Sequence, residues 1–176
     1  MTLHAEEPQT VALGAVESFE DFYAREFKQV VALAYVLSGS RTAAEDLAQE
    51  AFLAAHRRWN EVGKLARRDA WVRRVVANLS ASRFRRRFVE ARALARVAAG
   101  SASVLPELSA DDVEFWWAVR SLPRRQAQVV ALHYLENRPV AEIAEILGTA
   151  EGTVKKHLHD GRRTLARRLA VEEDEG

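Results

Sequence analysis

Between residues 153 and 163 the chain sets out hydrogen-bond donors at helical spacing: Thr153, Lys155, Lys156, His159, Arg162 and Arg163. Stepping about 100° per residue from Val154 puts Gly152, Lys156, His159, Asp160 and Arg163 opposite the apolar set Val154, Leu158, Gly161 and Leu165, with Lys155 and Arg162 on its flank. Cations and donors on one outer face suit contacts to phosphates and to base edges in a major groove. A second group lies earlier: Lys64, Arg67, Arg68, Trp71 and Arg74, then Arg83, Phe84, Arg85, Arg86, Arg87 and Phe88. Guanidinium groups take phosphates and aromatic faces stack on unpaired bases, so this mixture suits single-stranded nucleic acid. So many like charges on one helix repel one another until a polyanion relieves them.

Bond-breaking chemistry finds no such support. His4, His56, His133, His157 and His159 are scattered, and the one close pair, two residues apart on a helix, points to different faces. There is no cysteine, hence no disulfide, thiolate metal site or thiol nucleophile. Glycine-rich phosphate loops, serine elbows and paired catalytic carboxylates are missing too. No catalytic residue, metal or cofactor is therefore expected. The 176 residues are 48% hydrophobic and 29% charged, a globular composition. No apolar run approaches a membrane span, and MTLHAEEPQT lacks the regions of a signal peptide, so a soluble cytoplasmic protein is expected.

Net charge is only +1, but the charges are segregated. Residues 64–96 hold eleven Lys and Arg against Asp69 and Glu90, whereas residues 1–63 hold five basic and ten acidic side chains. Residues 151–170 carry six basic against two acidic residues, and the chain closes on EEDEG. Two separated basic patches imply two contacts with one polyanion, because fields act locally.

The elements that must position these groups read as helices throughout. Residues 1–17 carry no sustained period and form an expected disordered lead. Ser18 followed by Asp21 resembles a cap, and Phe19, Phe22, Phe27, Val30, Val31 and Ala34 return to one face of a helix reaching about Leu37. Ser38, Gly39 and Ser40 break it. Ser40 or Thr42 can cap a second helix through Trp59, with Ala44, Leu47, Ala48, Ala51 and Phe52 inward and Glu45, Asp46, Gln49 and Glu50 outward. Residues 60–69 read as a loop with a positive tip, and a third helix begins near Asp69 and carries Trp71, Val72, Val75, Val76 and Leu79. Residues 90–111, small and polar, form a linker. Helix resumes near Asp111, Pro123 opens another, and in PVAEIAEILGTAEGTVKKHLHDGRR the residues Val140, Ile143, Ala144 and Leu147 make one stripe, Gly148 a stop, and Val154 the start of the next. A two-turn helix, a glycine turn and a longer helix with a basic face is the layout of a helix-turn-helix. The expectation is all-α: two small helical domains joined by a flexible linker, the C-terminal one containing the helix-turn-helix.

Three fragments in this order resemble the extracytoplasmic-function (ECF) group of bacterial RNA polymerase sigma factors, in the manner of its actinobacterial SigE-like members. AEDLAQEAFLAAHRRW, residues 44–59, is similar to the polymerase-binding helix, with Asp46, Gln49, Glu50 and Phe52 at the contact positions. DAWVRRVVANLSASRFRRR, residues 69–87, is similar to the segment that melts the promoter and reads its minus-ten element, with Trp71 and Asn78 at familiar places. LPRRQAQVVALHYLENRPVAEIAEILGTAEGTVKKHL, residues 122–158, is similar to the segment that reads the minus-thirty-five element.

The resemblance implies a transcription initiation factor with region 2 at 18–89, the linker at 90–111, region 4 at 112–170 and an acidic tail at 171–176. It implies that the acidic helix docks on the clamp helices of the largest polymerase subunit, Phe52 partly filling the contact, and that the flap region is a further partner. Lys64, Arg67, Arg68, Trp71, Arg74, Asn78, Arg83 and Arg86 would hold minus-ten DNA, a flipped base being captured by residues 60–69 with Asn78 nearby. Thr153, Lys155, Lys156 and His159 would read the minus-thirty-five element, with Arg162 and Arg163 on phosphates. An anti-sigma partner is usual for the family; membrane insertion is not expected. Two departures stand out. Ala150 replaces the usual serine cap, leaving the role to Thr149, and Asp160 stands where a basic residue is common. The alternative reading is a stand-alone helix-turn-helix regulator of duplex operators.

Overall fold

The computed structural model describes residues 17–90 and 110–174, with side chains over 17–80 and 112–170. The described residues form eight helices and no strand: α1 (Phe19–Ser38), α2 (Arg41–Arg57), α3 (Trp59–Val62), α4 (Arg68–Glu90), α5 (Ala110–Arg120), α6 (Arg124–Tyr134), α7 (Val140–Leu147) and α8 (Glu151–Asp174). Residues 1–16 of the expected lead and 91–109 of the expected linker lie outside the described residues.

Local signals set most of these boundaries. Ser18 Oγ accepts from the Asp21 backbone N–H at 3.1 Å and donates to its carboxylate at 2.7 Å, closing the first turn of α1. Gly39, at φ 70°, ends α1 by donating to the Tyr35 carbonyl, and Ser40 Oγ accepts from the Ala43 N–H to start α2. The left-handed φ suits glycine, and a Cβ at position 39 would stand 2.8 Å from Arg120 Nε. The second helix stops at Arg57, short of the expected Trp59. Trp59–Val62 instead makes a turn of its own, which places the Trp59 indole against Phe19 and Phe22, at centroid distances of 5.3 Å each.

The α1–α2 pair is welded by rings. Phe52 on α2 meets Phe22, Tyr23 and Phe27 of α1 at 5.9, 4.9 and 5.9 Å. Burying several rings in tilted and edge contacts is the largest apolar contribution available to a unit of this size. Across the groove of this pair lies α4, with Ala70, Val72, Val76 and Ala77 buried.

In the second unit the stripes fall where the period requires. Val154, Leu158, Gly161 and Leu165 of α8 are all buried, against Ile143, Ala144 and Leu147 of α7 and Val129, Val130 and Ala131 of α6. Gly161 permits close approach, since a Cβ there would lie 3.0 Å from Val130 Cγ2. Gly148 at φ 62° closes α7. Helix α8 runs on to Asp174, into the stretch expected to be only a tail.

The two units are not held apart. Helix α1 packs on α5 and α6, α4 packs on α7, and their buried apolar residues form one continuous core.

Candidate nucleic-acid interface

Ala150 accepts the first backbone bonds of α8, from the N–H groups of Thr153 at 3.0 Å and Val154 at 3.1 Å, and so holds the cap position itself. Thr149, expected to cap, sits one residue outside, and its own N–H closes α7 on the Ala144 carbonyl at 3.0 Å. Ala150 has no side-chain oxygen, so the first N–H groups of α8 remain as donors near a positive helix end.

Beyond the cap, Thr153, Lys155, Lys156, His159, Arg162 and Arg163 are all exposed, and the buried stripe lies behind them. Gly152 has nothing within 4 Å of where a Cβ would stand, which leaves the first turn open to a backbone approach. Arg162 is anchored on Tyr134. Its Nε donates to the Tyr134 hydroxyl at 2.6 Å and its guanidinium lies 5.4 Å from that ring, so it is held against α6 rather than pointed outward freely. Asp160 is half-buried.

The basic group on α4 is arranged differently. Lys64 is exposed, and Arg68 is half-buried, donating to the Gly63 carbonyl at 2.6 Å and pairing with Glu17 at 3.1 Å. Trp71 is half-buried with the Arg58 guanidinium 5.9 Å from its ring. Arg67 pairs with Asp69 at 3.2 Å and, across the units, with Glu142 at 2.9 Å and Glu145 at 3.3 Å. Arg74 donates to the carbonyls of Ile146, at 2.9 Å, and Glu145. Asn78 is exposed, with Arg124 at the long limit of a hydrogen bond, 3.5 Å. Arg83 and Arg86 lie on α4, but their side chains fall outside those described. The structure thus brings half-buried Arg67 and exposed Arg74 beside α7, and exposed Asn78 beside Arg124 of α6.

On α2, Asp46, Gln49 and Glu50 are exposed on one face. Phe52, expected to fill part of a contact, is only 2% exposed and belongs to the ring cluster beneath. It holds the acidic face in place and offers no surface of its own. Residues 60–69, expected as a loop, include most of α3 and the start of α4.

Sequence reasoning passed over Arg73. Its side chain is fully buried, with Nη1 donating to Glu26 Oε2 at 2.8 Å and to the Asp69 carbonyl at 3.2 Å, Nη2 to Gln29 Oε1 at 3.0 Å, and Nε to Glu136. Arg138 extends the cluster, reaching Asp69 at 2.9 Å, Glu142 at 2.8 Å and Glu136 at 3.2 Å. A periodic signal existed: Glu26 stands four residues from both Phe22 and Val30, and Arg73 four before Ala77 and seven before Ser80, all of them buried.

Burial would raise the Glu26 carboxyl, but Arg73 and Arg25 outweigh it and hold it below the ordinary range. Asp69 follows the same pattern, burial being overcome by Arg67 first and then by Arg138 and Arg73. Glu142 is lowered chiefly by its hydrogen bond from Arg138, against a smaller effect of burial. Among the described residues no acidic and histidine cluster suits a metal ion, and no helix is long and apolar enough to cross a membrane.

A helix with an exposed basic face in one helical unit and an arginine-bearing helix in another are the arrangement expected of a two-domain nucleic-acid-binding protein. The family described as Sigma-70 region 2 matches residues 22–88, and that described as Sigma-70, region 4 matches residues 113–165. The ECF RNA polymerase sigma factor SigM of Mycobacterium tuberculosis is 32% identical over 86% of this chain and 77% of its own. The RNA polymerase sigma-E factor of Streptomyces avermitilis is 30% identical over 89% of this chain and 86% of its own. The fold is also that of the sigma factor RpoE of Bartonella quintana, solved with the anti-sigma factor NepR (TM-score 0.66, 24% identity, 87% of this chain and 97% of that one). The chain belongs to the ECF sigma factors of bacterial RNA polymerase, and it directs core polymerase to promoters.

The depressed carboxyls fix a sign. Glu26, Asp69 and Glu142 each add stability that is present above their ordinary values of 4.5, 3.8 and 4.5 and lost as pH falls through their lower folded values. Urea midpoints are expected to hold steady from neutrality down to that range and then drop, and Asp69→Asn is expected to remove part of the drop. An acid slope identical in the variant would contradict the role given to Asp69.

Proposed function

We propose that the two units share promoter recognition between a duplex element and a melted one while a third surface holds the polymerase. The observation that carries this reading is the exposed set Thr153, Lys155, Lys156, His159 and Arg163 on one side of α8, backed by a fully buried stripe. Its first turns enter the major groove at the minus-thirty-five element, with Lys155, Lys156 and His159 at base edges and Arg163 on phosphate. Arg162, steadied by Tyr134, takes a phosphate at the groove wall.

Region 2, from residue 18 to 89, binds the minus-ten element as a single strand through Lys64, Arg67, Arg68, Trp71, Arg74, Asn78, Arg83 and Arg86. A flipped base enters beside residues 60–69, with Asn78 close by. Asp46, Gln49 and Glu50 dock on the clamp helices of the largest subunit, braced by Phe52 from below, and region 4 meets the flap region. The bond-making chemistry is the polymerase's, so the chain itself is not an enzyme and needs no cofactor. It works in the cytoplasm, where polymerase and promoter are. The Streptomyces likeness supports a SigE-like affiliation, and the anti-sigma factor bound to the Bartonella relative supports a partner of that kind here.

In vitro transcription with purified core polymerase and a promoter library tests this reading. The expected result is start-site-directed RNA from templates sharing two boxes. No such RNA, with tight operator binding by the chain alone, would favour a free-standing regulator. Asp46→Ala combined with Gln49→Ala should abolish capture of core polymerase with the circular dichroism spectrum unchanged; equal capture by variant and parent would displace that contact. Lys156→Ala should cost about 1–3 kcal/mol at one or two minus-thirty-five positions. A uniform loss across all sequences would make Lys156 a phosphate contact.

A further inference from the structure

We propose that His133 of α6 is a positioning residue for promoter DNA: together with Tyr134 it presets the Arg162 guanidinium at the edge of the exposed basic face of α8, ready for a backbone phosphate. The inference rests on the reading of α8 as the minus-thirty-five helix and adds to it a residue that acts on DNA only through another.

The ring's two neighbours decide its state. His133 is half-buried in the last turn of α6, with Nδ1 3.2 Å from the Arg138 carbonyl and Nε2 3.1 Å from Arg162 Nη2. A carbonyl oxygen only accepts and a guanidinium only donates. Both contacts are therefore hydrogen bonds only for a neutral ring that carries its proton on Nδ1 and a lone pair on Nε2. The Arg138 carbonyl is itself held, because the Arg138 N–H donates back to the Leu132 carbonyl at 3.1 Å and the guanidinium is tied to Asp69, Glu136 and Glu142. The imidazole stands edge-on to Tyr134 at a centroid distance of 5.0 Å, and Tyr134 stands edge-on to Phe115 of α5 at 6.1 Å. Each ring of the frame is thus fixed by a neighbour other than Arg162.

Arg162 uses only one of its two forks on this frame. Its Nε donates to the Tyr134 hydroxyl at 2.6 Å and its Nη2 to His133 Nε2, so α6 fills the side-on fork. The end-on fork, Nη1 with the second hydrogen of Nη2, has no partner among the described residues, and that geometry suits a bidentate phosphate contact. A long arginine side chain loses rotamer freedom when a ligand fixes it, and a frame that fixes it beforehand removes part of that loss. Fastening α8 to α6 needs no such device. Gly161 already brings α8 against Val130, with Leu158 and Leu165 buried on the same stripe.

The test uses the full chain, first alone and then bound to core polymerase on a promoter duplex bearing both boxes. A long-range nitrogen–proton spectrum of the His133 ring in the parent needs no variant and should place the proton on Nδ1. In the holoenzyme, Arg162→Ala should weaken promoter binding and reduce the salt slope by about one phosphate contact. His133→Leu should weaken binding about threefold to tenfold, the loss expected for one long side chain that must be ordered on binding. On the Arg162→Ala background the same substitution should have no further effect, whereas a merely structural histidine would weaken binding on both backgrounds. His133→Gln keeps an acceptor for Arg162 and should bind as the parent does. A proton on Nε2, an undiminished His133→Leu loss beside Arg162→Ala, or His133→Gln as weak as His133→Leu would each overturn the role. A minus-thirty-five preference that Arg162→Ala weakens and His133→Leu does not would sink the role alone. A parent holoenzyme with no such preference would sink the promoter reading and the role with it.

Discussion

A guanidinium with no solvent exposure has to be answered by charge, and the placing of Arg73 follows from that constraint. An unpaired buried cation would cost several kcal/mol, so its donors recruit Glu26 and Gln29 from α1, the Asp69 carbonyl from its own helix and Glu136 from the turn between α6 and α7. Three stretches far apart in sequence are fixed by one side chain. The turn that delivers Glu136 contains Asn137 at φ 52°, a left-handed conformation that asparagine tolerates better than most residues.

Once Arg73 is seated, the azimuth of α4 is set, and with it the direction of its neighbours. Arg74 then faces the end of α7, and Arg67, just before the helix, faces Glu142 and Glu145. Arg138 closes the ring by meeting Asp69, Glu136 and Glu142 together. Elsewhere the units are joined through Gln128, which donates to the Ala77 carbonyl at 2.7 Å, and through Arg120, which lies over Gly39. Burial of polar groups in a seam is costly unless each is paired, so a seam of this kind is selective about its register.

Much of the local structure was legible in the residue order. The caps at Ser18 and Ser40, the left-handed stop at Gly148 and the four-residue stripe of α8 are all determined within a few positions of themselves, and the structure has them as the pattern requires. Trp59 was not legible in the same way, because its position is set by Phe19 and Phe22, some forty residues earlier. Phe52 was misplaced for a related reason: similarity to a binding helix says which residues matter, not whether they act from the surface or from underneath. Arg67 and Arg74 were read as DNA contacts and Arg73 was passed over, because nothing in one sequence separates a buried arginine from an exposed one. The helical period did contain the clue, since Glu26 and Arg73 interrupt apolar stripes at core positions. Their pairing with Glu136 was beyond reach, because ion pairs between distant segments leave no periodic trace.

The central claim, that one buried guanidinium ties the two units, is tested most directly by a double-mutant cycle in urea on Arg73→Met and Glu136→Gln. A coupling energy of about 1 kcal/mol or more, of the sign that favours the paired parent, is the predicted result. Additivity within about 0.3 kcal/mol would contradict it, and would mean that region 4 does not rest on Arg73 in solution.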